Sequence, residues 1–201
     1  MFMQTNRNPQ DIRQHILDIA QQVIGCKGFS AVGLNEILKA AEVPKGSFYH
    51  YFASKEAFGA AMLEDYFTRH LERMDNIMMR KEWTAKENLM QYWQGWLEPL
   101  EDGTVCGQKC LAVKLGAEVS DLSVAMRLVL ENGTKSIVMR LASVVESIVH
   151  EGGLNCSVEE AFPLAEALYQ TWLGASLMAK ITQSSAPLQS AMATTKRLLN
   201  A

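Results

Sequence analysis

The chain has 201 residues, of which 48% are hydrophobic and 20% are charged, an ordinary composition for a soluble globular protein. No apolar run approaches the roughly 20 residues that a membrane-spanning helix needs, so we expect no membrane insertion. The formal net charge of -3 is unevenly distributed: residues 1–55 hold six Lys and Arg against four Asp and Glu, and residues 56–201 hold thirteen against eighteen. Only the N-terminal part is therefore suited to face a polyanion.

The N-terminal residues lack the basic start, apolar stretch and small-residue cleavage site of a secretory signal, which predicts a cytoplasmic protein with reduced thiols. Its four cysteines are too few and too scattered for a disulfide scaffold. They are Cys26, Cys106, Cys110 and Cys156. The chain carries neither a glycine-rich nucleotide motif nor an HExxH metal motif, so we expect no cofactor, no metal and no catalytic residue.

Apolar residues recur at spacings of three and four along almost the whole chain, and this pattern predicts an all-α protein of about nine helices. Pro44 suits a turn or the first residues of a helix, and it separates two short N-terminal helices. The predicted helices cover residues 12–23, 34–41, 45–52 and 54–80, a helix that begins after Thr84, and residues 104–120, 121–150, 157–182 and 185–199.

Three predicted helix starts rest on capping residues. Ser54 is a favourable N-cap for the long helix that follows it. The segments Thr84–Glu87 and Ser157–Glu160 match the capping box, in which a hydroxyl and a carboxylate each satisfy an orphan backbone N–H. The helix from Ser54 leaves a small N-terminal unit, so we place a domain boundary there, giving residues 1–53 and 54–201.

Two short helices joined by a tight turn and supported by a longer first helix predict a helix-turn-helix, whose second helix enters the major groove of DNA. In a helix that begins at Lys45, Phe48 and Phe52 are four residues apart and are predicted to be buried with Leu38. The outward positions are then Ser47, Tyr49 and His50. The alternative is that these aromatic residues form only a core and the lysines only a solvated face.

The segment Gly28-Phe29 and the later NEILKAAEVPKGSFYHYFASKEAF resemble the N-terminal signature of the TetR family of transcriptional repressors. The resemblance implies a dimer whose small domains read a palindromic double-stranded DNA operator and whose large domains bind a small-molecule inducer. The operator contacts that it suggests are Lys45, Gly46, Ser47, Tyr49, His50 and Lys55, with Tyr49 and Lys55 chiefly on phosphate. Many relatives begin helix two with a hydroxyl residue; here Gly33 stands there, and Asn35 is assigned any polar contact from that end.

The segments CLAVKLGAEVSDLS and WLGASLMAKI resemble the branch of this family that responds to N-ethylmaleimide or acrylate. The resemblance implies that Cys110 senses electrophiles or oxidants, with Lys180 as its partner. A neighbouring ammonium lowers the pKa of a thiol, which makes the reactive thiolate more abundant. The segment GTVCGQKC departs from the branch by adding Cys106, and the role of that thiol stays open.

Other interpretations of these residues remain open at this stage. Cys110 is also compatible with a small buried core residue, and Lys180 with a surface lysine. Covalent sensing competes with reversible binding of an apolar inducer in a pocket lined by Tyr92, Trp93, Trp96, Tyr169 and Trp172. An enzyme with Cys110 as nucleophile and His70 or His150 as base is the alternative from another class, but no sequence feature places these residues together.

The helix over residues 157–182 is apolar on most of its sides, more than one core contact would use. Its segment Gly174-Ala175-Ser176 permits the close approach of another helix. We therefore predict that this helix and the last one, over residues 186–199, form a four-helix bundle with a second copy of the chain.

Overall fold

The computed structural model describes residues 9–100, 103, 107 and 110–200. Within that part of the chain, nine α-helices are joined by turns and by a short 3-10 segment at Val158–Glu160, so the predicted all-α fold is confirmed. The helices are α1 (Pro9–Lys27), α2 (Leu34–Ala40), α3 (Lys45–Tyr51), α4 (Lys55–Met78), α5 (Ala85–Gly95), α6 (Leu111–Leu122), α7 (Val124–His150), α8 (Ala161–Thr182) and α9 (Ala186–Leu198).

Two predicted helix boundaries are wrong. The continuous helix over residues 121–150 is interrupted at Ser123, because the Ser123 hydroxyl accepts a hydrogen bond from the Met126 N–H at 3.3 Å and so caps α7. The capping box at Ser157 precedes the 3-10 segment and not α8, which begins only at Ala161. The carboxylate of Glu160 accepts the Ser157 N–H at 2.8 Å, as the motif predicts.

The other capping predictions are confirmed. Thr84 and Glu87 form a complete capping box: the Thr84 hydroxyl accepts from the Glu87 N–H, and the Glu87 carboxylate accepts from the Thr84 N–H. Ser54 accepts the Ala57 N–H at 3.1 Å and caps α4. These local hydrogen bonds fix where α4 and α5 begin.

The chain divides into two compact units, the first containing residues up to 67 together with 115–130. In this unit α2 packs against both α1 and α3. Its core is formed by fully buried apolar side chains of α1, α2, α3 and α4. They include Ile16, Leu17, Ala20, Ile24, Ile37, Phe48, Phe58, Met62 and Leu63. The second half of α6 and the start of α7 belong to the same unit.

The second unit contains residues 68–114 and 131 onward. Its best-packed helix pair is α8 and α9, where the buried Trp172 indole N–H donates to the Thr195 hydroxyl at 2.9 Å. The Lys86 ammonium donates to the carbonyls of Gly153 and Asn200, which connects the start of α5 to residues after α7 and α9. The predicted division into residues 1–53 and 54–201 stays a prediction.

Candidate nucleic-acid interface and sensor region

Helix α3 is placed by a tight turn and by an aromatic core. The turn after α2 has the hydrogen bonds of a Schellman motif: Glu42 N–H donates to Lys39 O and Val43 N–H to Leu38 O. Glu42 stands at φ 55°, the left-handed position that usually favours glycine. Pro44 then precedes the first residue of α3 in extended conformation, so the chain leaves α2 and re-enters a helix within four residues.

The aromatic residues of this segment divide as the sequence predicts. Phe48 and Phe52 are buried, with ring centroids 5.1 Å apart, and both lie about 5 Å from the ring of Phe58 on α4. Leu38 is buried in the same unit. The ring of Tyr49 meets Phe48 edge to face, but 56% of Tyr49 is exposed. One side of α3 is therefore core and the other faces solvent.

The exposed side of α3 consists of small, basic and hydroxyl-bearing residues. Lys45, Gly46, Tyr49 and His50 are exposed, and Ser47 is half-buried. A Cβ added at Gly46 would meet no described atom within 4 Å, so its backbone is open to a partner. Asn35 is exposed on α2, where Gly33 is the N-cap residue and supplies no side-chain hydrogen bond.

Lys55 is engaged inside the unit. Its ammonium donates to the Phe29 carbonyl at 3.2 Å and stands 4.8 Å from the centroid of the Phe29 ring. This cation–π contact orients the first residue of α4. A contact between Lys55 and a DNA phosphate would use the ammonium N–H donors that are not bonded to the Phe29 carbonyl.

Cys110 immediately precedes α6 and is half-buried. Gly107, three residues before it, is fixed on two sides: its N–H donates to Trp96 O at 2.8 Å, and its carbonyl accepts the Ser176 hydroxyl of α8. A Cβ at Gly107 would lie 3.0 Å from both Leu188 Cδ1 and the Trp96 carbonyl oxygen, so a side chain there would crowd both. The predicted residue Cys106 lies outside the described residues.

Several titratable side chains surround this segment. Burial raises the pKa of the Tyr169 phenol above its ordinary range, and nearby Cys110 and then Tyr92 raise it further. Tyr169 is therefore a protonated phenol with Cys110 as an electrostatic neighbour. The Tyr92 hydroxyl lies 3.1 Å from His70 Nε2. Burial, with a smaller contribution from Arg73, lowers the pKa of His70 to about 4, so the ring is neutral at pH 7.

The five aromatic residues predicted to line a pocket are all buried, and the structure brings most of them together. Trp93 and Trp172 stack with centroids 4.7 Å apart and an interplanar angle of 8°, and Trp96 contacts both. Tyr92 packs against Trp93. The indole nitrogen of Trp93 is fully buried and has no hydrogen-bond partner among the residues that the structure describes, which is unusual for a buried donor.

A cleft of about 400 Å³ opens between α7 and α8. Tyr169 lines it, together with charged and apolar side chains that include Lys135, Glu166 and Phe162. Lys180 is half-buried in the last turn of α8, one turn after Ser176. The segment that carries Cys110 and the helix that carries Lys180 are thus connected through Gly107 and Ser176.

Helices α8 and α9 and the 3-10 segment before α8 expose a row of large apolar side chains. Ile181 is 64% exposed, and the others are between 38% and 47% exposed. The members of this row are Val158, Phe162, Leu177, Met178, Ile181 and Leu198. The opposite side of α8 is buried through residues such as Leu168 and Trp172. This apolar surface is in the place that the sequence predicts for contact with a second copy.

Two features of the site were not predicted from the sequence. The carboxylate of Glu118 on α6 accepts the N–H groups of Phe29 and Ser30, which lie 89 and 88 residues away in the sequence. Neither the turn residues nor the spacing within α6 indicates such a partner. The pairing of His70 with Tyr92 also had no local signal, because a buried histidine is indistinguishable from a surface one in a helical pattern.

Comparisons with known proteins agree with this architecture. Residues 16–62 match the family profile described as bacterial regulatory proteins, tetR family, and residues 85–195 match the one described as tetracyclin repressor-like, C-terminal domain. The HTH-type transcriptional repressor NemR of Escherichia coli strain K12 is 40% identical over 94% of this chain and 94% of its own length. The transcriptional regulator AcuR of Cereibacter sphaeroides is 34% identical over 82% of this chain and 74% of its own.

The crystal structure of reduced E. coli NemR superposes with a TM-score of 0.87 at 42% identity, covering 94% of this chain and 97% of that one. Both halves of the chain therefore match regulators of one kind, the first half through its helix-turn-helix and the second through its helical domain. The chain belongs to the TetR family of bacterial regulatory proteins, and it is a DNA-binding transcriptional regulator and not an enzyme.

Proposed function

We propose that this chain is a cytoplasmic repressor that binds a palindromic operator as a homodimer and leaves it when Cys110 reacts with an electrophile. The observation that carries the DNA-binding part is the exposed side of α3, which is held on the buried rings of Phe48 and Phe52. An outward row of small, basic and hydroxyl-bearing residues on a rigidly supported helix suits the major groove. In the described residues, no helix has the length and hydropathy to cross a bilayer.

The predicted contacts separate by chemistry. Lys45, at the start of α3, and the hydroxyl of Tyr49 suit phosphate oxygens, which fix the register on the duplex. Ser47 and His50 carry donors and acceptors suited to base edges, and Gly46 allows the backbone to approach. Asn35 from α2 and the unused donors of Lys55 extend the phosphate contacts on either side.

The operator sequence can be identified by selection with the purified protein. Duplexes selected by purified protein from random sequence are expected to contain a palindrome with half-sites about one helical turn apart or further. They should bind on the order of 10³-fold more tightly than a scrambled duplex at the same salt concentration. Fluorescence anisotropy measures both affinities. Equal affinity for selected and scrambled duplexes would refute sequence-specific repression.

The proposed dimer is formed through α8 and α9. TetR-family repressors work as dimers, and the exposed apolar row on these helices supports the same use here. Two copies of two helices give a four-helix bundle, in which each apolar row covers that of its partner. The two-fold axis of such a dimer would relate the two α3 helices, one for each operator half-site.

Ile181→Glu is expected to convert the dimer to a monomer. The change places a carboxylate within the proposed apolar contact, where burying an unpaired charge costs several kcal/mol. Sedimentation velocity at micromolar concentration measures the mass, and operator binding should fall with it. Met79→Glu is the matched control, since Met79 is 75% exposed and lies outside the row. An unchanged mass for Ile181→Glu, or an equal effect of both variants, would contradict this interface.

The proposed sensing step uses the thiolate of Cys110. The thiolate adds to the C=C bond of a reagent such as N-ethylmaleimide: a C–S bond forms, the π bond breaks, and the neighbouring carbon takes a proton from solvent. The Tyr169 phenol, which stays protonated, can donate a hydrogen bond to the thiolate, and the Lys180 ammonium is the predicted second stabiliser. Tyr169 also lines the cleft between α7 and α8.

Reversible inducer binding is the second candidate, favoured by one observation. The buried Trp93 indole N–H has no partner within the described residues, and leaving such a donor unsatisfied costs about 1–3 kcal/mol. A small aromatic or apolar ligand with one acceptor oxygen would satisfy it while contacting Trp96 and Tyr92. This candidate needs no reactive group, so it predicts release by compounds that do not alkylate thiols.

A further inference from the structure

Glu118 makes a contact that neither operator binding nor thiol chemistry uses directly. Its two carboxylate oxygens accept the Phe29 N–H at 3.1 Å and the Ser30 N–H at 2.6 Å, both in the turn between α1 and α2. These hydrogen bonds are charge-assisted and therefore stronger than neutral ones. Gly28 stands at φ 96°, and a Cβ there would lie 3.1 Å from Glu118 Oε2. The turn is thus shaped to receive the carboxylate.

Phe29 connects the α1–α2 turn to the start of α4. Its carbonyl accepts the Lys55 ammonium at 3.2 Å, and its ring lies under the same ammonium. A Cβ added at Gly59 would be 2.7 Å from the Phe29 ring, so the ring rests directly on the α4 backbone. Lys55 begins α4 four residues after α3 ends. A displacement of Phe29 therefore moves the junction that orients the exposed side of α3.

Helix α6 is the element that carries Glu118. It begins at Leu111, directly after Cys110. A carboxylate at the surface of a helix is about 5–6 Å from the axis, so a rotation of about 20° displaces it by about 2 Å. Hydrogen bonds of 2.6 and 3.1 Å do not survive such a displacement. A change of α6 that begins at Cys110 would then release the turn.

We propose that Glu118 is a positioning residue for operator binding: its carboxylate fixes the α1–α2 turn and, through Phe29 and Lys55, the α3–α4 junction, so that α6 controls operator affinity. The control by Cys110 rests on the proposed sensing function; the positioning of α3 does not. A purely structural role would make Glu118 support the fold equally with and without electrophile, and the two roles give different measurements.

The experiment compares Glu118→Gln with wild type and with Asp121→Asn. The glutamine side chain has the same size, but an NH2 donor replaces one acceptor oxygen. It therefore cannot accept hydrogen bonds from both backbone N–H groups. Asp121 is exposed on the same helix and its substitution removes the same charge. Anisotropy with the selected duplex gives the dissociation constant before and after N-ethylmaleimide, mass spectrometry gives the rate of Cys110 alkylation, and thermal unfolding gives stability.

Glu118→Gln is expected to bind the untreated operator about fivefold more weakly, and to reduce the loss of affinity caused by the reagent by at least about fivefold. The alkylation rate and the binding of scrambled duplex should stay at wild-type values, as should every value of Asp121→Asn. Hydrogen exchange at the Ser30 amide should accelerate in Glu118→Gln, which reports the broken contact independently. Glu118→Asp, one methylene shorter, is expected to act in the same direction and serves if the glutamine variant unfolds.

The proposal would be overturned if Glu118→Gln and Glu118→Asp bind the operator and are released from it as wild type is, although hydrogen exchange at the Ser30 amide is accelerated. If Glu118→Gln weakens operator binding by the same factor before and after treatment with the reagent, α6 does not control operator affinity. Glu118 would then have only a structural role. If wild-type protein is not released by N-ethylmaleimide, the proposed sensing function fails instead; the fivefold weakening of untreated Glu118→Gln would still support the positioning role.

Discussion

Cys110→Ser is expected to bind the operator with wild-type affinity and to stay bound after treatment with N-ethylmaleimide. Serine has nearly the same shape, and Cys110 lies outside the helix-turn-helix, so the untreated protein should not change. Its hydroxyl is not ionised at neutral pH and does not add to the reagent. Wild type should lose affinity by a factor of about 5–150, the usual range of allosteric coupling, and the variant by at most about twofold.

The measurement is operator anisotropy at increasing reagent concentration, and the other cysteines provide the controls. Cys26 is exposed and Cys156 is half-buried, so both are available to the reagent, but neither directly precedes α6 as Cys110 does. Cys26→Ser and Cys156→Ser should be released like wild type. If their release is lost instead, the sensor has been placed on the wrong thiol.

The double variant Cys106→Ser with Cys110→Ser decides between the two sensing mechanisms. Covalent sensing requires that this protein ignores N-ethylmaleimide at every concentration that leaves DNA binding intact. If it responds as wild type does while Cys26→Ser and Cys156→Ser are still released, covalent sensing through Cys106 and Cys110 is wrong, and reversible binding at Trp93 becomes the explanation. Trp93→Phe, which removes the indole N–H donor together with part of the buried ring, should then weaken the response.

Features that depend on residues close in sequence were predictable. The division of α3 into a buried and an exposed side follows from the four-residue spacing of Phe48 and Phe52, because side chains at that spacing share a helix face. The capping box at Thr84 and the cap at Ser54 are likewise local, since the groups that bond are three residues apart. In such cases, the sequence contains both partners of the interaction within one turn of helix.

Features that depend on distant residues were not predictable from the sequence alone. Ser123 reads as an ordinary polar position in a long helix, and only the direction of the following chain makes it a cap. Glu118 has the appearance of a solvated charge on α6 until the α1–α2 turn is placed beside it. The proximity of Cys110 to Tyr169 and the hydrogen bond from the Ser176 hydroxyl to the Gly107 carbonyl, across 69 residues, are also long-range contacts.

Lys45→Ala and Tyr49→Ala are each expected to weaken operator binding by at least about tenfold. Each substitution acts twice in a dimer, so a contact worth about 1 kcal/mol in each half-site amounts to about 2 kcal/mol, or roughly 30-fold. Because the Lys45 side chain is exposed, Lys45→Ala should change the free energy of unfolding by no more than about 0.5 kcal/mol. Tyr49→Ala should lower it by about 0.5–1.5 kcal/mol, because the ring loses its edge-to-face contact with Phe48. Tyr49→Phe separates the hydroxyl, proposed to bind phosphate, from the ring that packs on Phe48.

The dependence of affinity on salt concentration tests the assigned role of each side chain. Lys45→Ala should reduce the slope of log K against log salt by about two, one for each protomer, on operator and scrambled duplex alike. Tyr49→Phe should leave that slope unchanged, because it removes no charge. Lys81→Ala, at an exposed lysine after α4, should change neither affinity nor slope. If Lys45→Ala and Tyr49→Ala both bind the operator with wild-type affinity, DNA is not bound on this side of α3. Removing an exposed side chain creates no new contact that could compensate for a lost one.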